Sequence, residues 1–415
     1  VYTQLHDTSI HQIAVEQGLA EVDALATIVK VAGMHRIADT FGPIPYVNYG
    51  SSSLYDALDK VYAKFFEELD NSIEVLGNYV SGNSNAKLMS DYDHVYGGDA
   101  EKWVKFANTL RLRLAMRVVY ANPTLAEQEA TKSVQSVYGL IGSKAERAEL
   151  SHNTLEYHHP LHEIAYNFNS GDCRPGASIV SYMDGLNDPR ISRYFTVAGD
   201  DDAYHGVRIG ITSSNMSNYQ GDKISNLNID RASTPVVWMT AAESYFLRAE
   251  GVLRGWDMGE GTAQSFYEEG VRVSFEENNA GSAAAYLADN ASTPGSFSDN
   301  VGSDNYTFTS RVTPAWDSSA GFEGSLERII TQKWIAIYPD GPEGWSEYRR
   351  TGYPELIPVV RNSSNGTVDT DLQVRRLPYT RDEKSNNQVG VNSGIAALGG
   401  PDTGGTKLWW DQRAR

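Results

Sequence analysis

Cysteine is all but missing: Cys173 is the only one in 415 residues. A single thiol makes neither an internal disulfide nor a cysteine-based zinc cluster, and such usage suits a bacterial protein better than a disulfide-stapled secreted one. Long apolar runs are lacking too. The longest candidates, such as Trp334 to Tyr338, are a fraction of the ~20 residues that span a bilayer. Positive charge is scarce: 35 Lys and Arg face 53 Asp and Glu, for a formal net charge of −18 and a pI of about 4.9. Such a surface repels phosphate backbones and anionic headgroups, and no basic stripe interleaved with aromatics offsets it. Nucleic acid is thereby excluded as a partner, as is electrostatic adsorption to membranes. No initiator Met precedes Val1 and no signal peptide is present, so the chain reads as truncated or processed, with any targeting segment out of view.

Catalytic signatures are absent as well. There is no His-Glu-x-x-His, no Gly-x-Ser-x-Gly and no Rossmann glycine pattern. The run Gly400–Lys407 resembles a phosphate loop only until Thr406, which stands where that loop needs its Lys, so it reads as a flexible connector before Trp409 and Trp410. Asp91, Asp93 and Asp99 hint at a calcium loop, but Tyr96 takes the obligatory glycine position and Lys102 the glutamate position. Asp99 reads better as a helix cap, and Asp200-Asp201-Asp202 as a solvated loop tip. His158 and His162 have chelating i, i+4 spacing within the cluster His152, His158, His159, His162, yet Pro160 breaks the helix that would align them. Acidic residues are so numerous that no carboxylate pair stands out as hydrolytic. No catalytic residue, metal or cofactor is therefore assigned.

What is present is helical periodicity. Leu54, Leu58, Val61, Phe65, Leu69, Ile73 and Leu76 fall three or four apart, one stripe of a long helix. A second helix begins at Asp99 and runs through Trp103, Phe106, Leu110, Leu114 and Val118 to Pro123. A third uses Met239, Ala242, Phe246, Ala249 and Leu253 and ends at Gly255; a fourth uses Leu326, Ile330, Trp334 and Ile337 and stops at Pro339. Ile10 to Ile37 is also helical by pattern. Further helices over 125–137 and 262–276 follow the second and third, and adjacent helix pairs are the unit of tetratricopeptide-type solenoids. No strict 34-residue consensus aligns, so an irregular bundle stays open beside a degenerate helical repeat. Lys102, Lys105, Arg111, Arg113 and Arg117 give the second helix a basic face that reads as ion pairing with neighbouring helices.

The sequence thus predicts a mainly α, tetratricopeptide-like scaffold over about 10–137, 236–278 and 323–357, with loop-rich insertions over about 139–235, 280–321 and 360–407 and a few short strands. Residues 1–415 are read as one domain. The insertions carry Tyr204, Tyr219, Tyr306, Phe308 and Trp316 among Gly, Ser, Asn and Asp, and so read as ordered binding loops.

Several segments resemble the SusD/RagB family. They are Tyr96-Gly97-Gly98-Asp99 through Trp103 to Arg117, Asp188-Pro189-Arg190 with Tyr194-Phe195, and Ala242-Glu243-Ser244-Tyr245-Phe246-Leu247-Arg248-Ala249-Glu250 with Gly255-Trp256. Gln332-Lys333-Trp334 with Gly344-Trp345 through Tyr353-Pro354, then Arg375-Arg376-Leu377-Pro378-Tyr379 with Glu383 and Asn386, continue the series in order to the C-terminal part of the chain. The resemblance implies a lipid-anchored protein on the extracellular face of the outer membrane of Bacteroidota-type bacteria. It would capture oligosaccharides, or in some branches peptides, and pass them to a SusC-like TonB-dependent transporter. The family's N-terminal lipid-bearing cysteine is not in this chain, and Cys173 lies too far inside to replace it. Asn108, Arg113, Glu243, Glu250 and Arg349 are expected to serve the scaffold. A glycan-degrading hydrolase and a repeat scaffold that binds only proteins are the competing readings.

Sugar rings pack their C–H faces on Trp and Tyr while their hydroxyls need polar partners. With 24 Tyr and 8 Trp against 12 Phe, the chain favours aromatics that carry a polar handle. The ligand platform is accordingly expected on loops, from Tyr46, Asn48, Tyr49, Tyr306, Phe308 and Trp316.

Overall fold

The computed structural model describes residues 9–413 except 51, 84, 86, 151–158, 169, 170 and 172, and leaves out the side chains of 213–215. His152 and His158 lie outside the described residues.

The N-terminal helical stretch is two helices, α1 (His11–Gln17) and α2 (Ala20–Phe41). Gly18, at φ +68°, separates them, its N–H closing on the Ala14 and Val15 carbonyls. A left-handed glycine ends a helix in just this way. α3 (Leu58–Gly82) starts later than its periodicity indicates, since Leu54 is exposed and belongs to the preceding loop. α4 (Ala100–Arg117) begins where expected: the Asp99 carboxylate accepts Lys102 N–H at 3.2 Å. α5 (Pro123–Gln135) carries Pro at its first position and an Asn122 cap. After β1 (Ala148–Leu150) come α6 (Ala177–Gly185), α7 (Ile191–Tyr194) and β2 (Val236–Met239). Thr240 caps α8 (Ala241–Leu253), and a Thr262–Ser265 capping box opens α9 (Ala263–Glu277). The short α10 (Ala284–Leu287) precedes α11 (Gly321–Ala336), α12 (Gly341–Thr351), α13 (Arg381–Asn386) and α14 (Gln388–Leu398).

α2 packs on α3, α4 on α5 and α8 on α9, while α3–α4, α4–α8 and α8–α11 contacts tie the hairpins together. Residues of the first three stripes form one core: Val61, Phe65, Leu69, Trp103, Phe106, Leu110 and Phe246 are all buried in a single cluster, against which Trp334 of the fourth stripe packs partly buried. Each such aliphatic or aromatic side chain contributes about 1.5–3 kcal/mol by leaving water. The architecture is mainly α and tetratricopeptide-like, with loop-rich insertions. β1 and β2 pair antiparallel, Leu150 with Val236, drawing together the two ends of the segment between them.

Charge is also buried in this frame. Arg113 donates from Nε and Nη2 to Glu243 at 2.8 and 2.5 Å. Arg117 reaches Asp39, Glu343 and Glu347 at 3.2, 2.5 and 2.9 Å. Arg350 joins Glu250 at 2.6 and 2.7 Å and also Glu347, and the Lys333 ammonium lies between Glu243 and Glu343. Burial opposes the charge on Lys333, but Glu347, Glu343 and Glu243 outweigh it and raise its pKa. Most of the basic face of α4 is thus spent on ion pairs, with Arg111 on Asp70 and Lys105 on Glu146, whereas Lys102 donates to the Ala145 carbonyl. Asn108 bonds Ser136 and the Gly139 carbonyl, and Arg349 bonds the Asp39 and Arg375 carbonyls. Asn108, Arg113, Glu243, Glu250 and Arg349 are all buried.

The insertions are more structured than their composition indicates, since α6, α7, α10, α13 and α14 lie within them. Arg190, fully buried, pairs with Asp188 and reaches Ser274 of α9 and Gln332 of α11, docking the first insertion on the frame. The Gly400–Lys407 run is no loose connector. A Cβ on Gly405 would stand 2.2 Å from the Thr367 carbonyl oxygen, so glycine is there for close backbone approach.

Candidate functional site

The cleft best furnished for a polar ligand is a cavity of about 510 Å³ lined by Tyr306, Thr309, Ser310, Arg311, Glu327, Tyr353, Glu355 and Asp371 among others. Tyr306 is set by a two-bond bridge to Phe297, at 2.8 and 3.0 Å, which lays residues 306–311 along one wall. Glu327 comes from α11. Tyr353 follows Gly352, whose φ of +86° turns the chain out of α12.

Glu355 organises this wall. Its carboxylate accepts from Tyr306 Oη at 2.8 Å, Thr309 N and Oγ1, and Ser310 N at 2.7 Å. Burial pushes its pKa up, but these donors win and hold it below the ordinary value. Glu327 moves the other way: burial raises it, a 2.5 Å bond from Ser310 Oγ opposes, and Glu355 repels its charge. Burial and the bond to Glu355 push the Tyr306 hydroxyl up to about 12. The Arg208 guanidinium sits 5.6 Å from the Tyr306 ring centre. Both oxygens of Glu355 are taken, whereas only one oxygen of Glu327 accepts a bond among the described residues, and the exposed Arg311 side chain has no partner there. Half-buried tyrosine rings, a free carboxylate oxygen and a free guanidinium together suit a neutral ligand with apolar faces and many hydroxyls.

The sequence-predicted residues do not assemble into one platform. Of the six, Tyr306 lines the cleft. Tyr46 and Phe308 are 4% and 2% exposed and pack edge-on against Phe65 and Tyr182. They belong to the core, because the Tyr46 hydroxyl finds Glu68 within the fold and Phe308 has none to satisfy. Trp316 is half-buried, 5.4 Å from the Tyr267 ring, so it too packs inward. Asn48 is exposed and Tyr49 half-buried, on a loop that Asp56 ties down by accepting Tyr46 N–H, Val47 N–H and Asn48 Nδ2. Glu327, Arg311, Tyr353 and Glu355 were not singled out as ligand contacts from sequence. Only Tyr353 carried a signal, as part of the hallmark run that ends at Tyr353-Pro354.

Asp93 accepts from Val95, Tyr96 and Gly98 N–H and from Trp103 Nε1 at 2.8 Å, leaving it committed to the loop before α4. Asp201 pairs with His205 at 2.8 Å on an exposed turn. His162 stacks on Tyr166, and His159 Nδ1 accepts Leu161 N–H. Among the described residues no group of three His, Cys, Asp or Glu side chains is placed to hold a metal. A larger groove of about 620 Å³ lies between α1, α2 and residues 89–95, but Ile10, Ile13, Val22, Leu25, Val29 and Trp103 make its walls apolar, with little to orient a hydroxylated ligand.

A family model described as SusD-like, SusD and RagB outer membrane lipoprotein, matches residues 2–411. A chitin-binding SusD homologue from Flavobacterium johnsoniae superposes with a TM-score of 0.93 at 41% identity, over 100% of this chain and 86% of that one. A SusD homologue from Bacteroides uniformis gives 0.91 at 40% identity, over 100% and 86%. A SusD-like protein from Bacteroides thetaiotaomicron gives 0.90 at 36% identity, over 98% and 84%. No curated protein matches.

Proposed function

The chain belongs to the SusD-like family of outer-membrane lipoproteins, and on that premise we propose that it captures glycans at the cell surface without cleaving them. The observation that carries this reading is the likeness along the whole chain to a chitin-binding homologue. We assign the same ligand class here: oligomers of β-linked N-acetylglucosamine, neutral at every ring. The captured oligomer passes to a SusC-like TonB-dependent transporter, and the protein is held by lipid on the outer face of the outer membrane. No helix among the described residues is long and apolar enough to cross a membrane, so the family's lipid attachment supplies the anchor in this reading.

The Tyr306–Tyr353 cleft is the proposed seat of the ligand. Its rings match the C–H faces of the sugar, while Glu327 and Arg311 face the hydroxyl and acetamido groups. Hydrolysis is disfavoured because Glu355, the nearest partner for Glu327 in an acid–nucleophile pair, has its oxygens filled by Tyr306, Thr309 and Ser310.

Calorimetric titration with chitin oligomers, other glycans and peptides tests this. Tyr306→Ala is expected to weaken chitin-oligomer binding about tenfold, the loss of roughly 1.4 kcal/mol of ring contact. Oligomer length, followed by mass spectrometry, is expected to stay constant. Preference for peptides, or cleavage lost on Glu327→Gln, would overturn the proposal.

A further inference from the structure

A second polar cavity, of about 530 Å³, has the opposite sign to the protein as a whole. Lys144, Arg147 and Arg193 line it, in a chain whose net charge is −18. Two come from one segment, Lys144 and Arg147 in the turn that leads into β1, and Arg193 comes from α7. Like charges gathered on one cavity repel unless an anion sits among them or each is neutralised locally. Local neutralisation here is incomplete. The Lys144 ammonium donates to the Glu276 carbonyl at 3.0 Å and to Asn279 Oδ1 at 2.8 Å, which leaves one of its three hydrogens. Arg147 pairs with Glu149 through Nη2, but its Nε is a buried donor with no partner among the described residues. Arg193 is exposed, and its guanidinium makes no hydrogen bond or ion pair among the described residues.

The one carboxylate on the lining does little to offset them. Glu277 turns its oxygens to Ala241 N and Ala242 N, at 2.8 and 3.4 Å, where it caps α8. Burial pushes its pKa up to about 7 against those donors and Arg147, so near neutrality it carries only part of a charge. Neutral hydrogen-bonding groups from Asn228 and Asn278 complete the surround.

We propose that this cavity is a second binding site, which holds the oxyanion of an acidic saccharide, a carboxylate or a sulfate ester, between Arg193 and Lys144. It is independent of the chitin-oligomer reading, whose ligand is neutral. A guanidinium gives an oxyanion two parallel donors, and the ammonium adds a point charge. The site would let the protein retain a charged glycan that the tyrosine-lined cleft has no cation cluster to hold.

Titration of the full chain with sodium sulfate and with sodium glucuronate, at fixed ionic strength, tests the proposal. Saturable binding of either is expected, and which anion binds tells sulfate ester from carboxylate. Arg193→Gln and Lys144→Gln are each expected to weaken it roughly tenfold, as for one charge-assisted bond. Both variants are expected to keep the parent melting temperature and to bind chitin oligomers as the parent does. Absence of saturable binding of both anions overturns the site, as does binding that survives replacement of both residues.

Discussion

At the scale of single residues, the position of Glu277 has a consequence for stability against pH. Its carboxyl is raised from 4.5 to about 7, chiefly by burial. An acid that holds its proton more tightly when folded makes the folded state bind more protons than the unfolded one between those values. Stability therefore falls as pH rises through that window and levels off above it. The size is on the order of 3 kcal/mol for a shift of this length. Glu277→Gln is expected to flatten that part of the profile, read from urea melts between about pH 5 and about pH 8 against the parent protein. An unchanged slope would mean that Glu277 is ionised throughout. Tyr46 and Phe308 teach a related lesson about reading residues. Both lie in polar, loop-like sequence, yet each ring turns into the core, and nothing in the surrounding sequence separates them from Tyr306, which faces the cleft.

At the scale of elements, the long helices were legible because their apolar spacing and caps agree. Asp99 and Thr262 mark starts that the structure keeps, while the helix expected from Leu125 already begins at Pro123. Asp99→Ala is expected to cost about 1 kcal/mol, measured by chemical denaturation, because Lys102 N–H then loses its acceptor. A loss near zero would assign that end of α4 to packing alone. The elements that were not legible share a physical cause. α6, α13 and α14 are too short to show an amphipathic stripe, and α13 and α14 are held by tertiary contacts. Tyr55 N–H donates to Ser393 Oγ, the Tyr55 hydroxyl to Glu383, and Tyr379 Oη to the Pro43 carbonyl, so α13 and α14 depend on residues more than three hundred positions away. The cleft was missed for the same reason. Glu327 and Glu355 are ordinary glutamates until Ser310 is folded between them.

At the scale of the whole molecule, several of the buried ion pairs run between the two halves of the chain. Arg113 and Arg117 belong to the first half, and Glu243, Glu343 and Glu347 to the second. Arg36 with Asp340, and Trp410 Nε1 with Asp39, cross the same divide. Cutting the chain near Pro235 should therefore leave two fragments that do not fold alone but recover helical circular dichroism on mixing. A single fragment with a cooperative melt would show two domains where we read one. The same pairs bear on which packings of the frame are tolerable at all. Apolar stripes alone repeat along a helix, so α12 shifted by one turn, about 5.4 Å, would still meet greasy neighbours. The charges repeat only once: Glu343 and Glu347 lie a turn apart, and the position a turn beyond is the neutral Thr351. A one-turn slip would set one of them in the other's place but carry the second off Arg117, and Arg350 off Glu250, at a cost of several kcal/mol for each stranded ion. The ionic core thus works as a ratchet with a single notch, rejecting near-miss alignments that greasy contact by itself would accept.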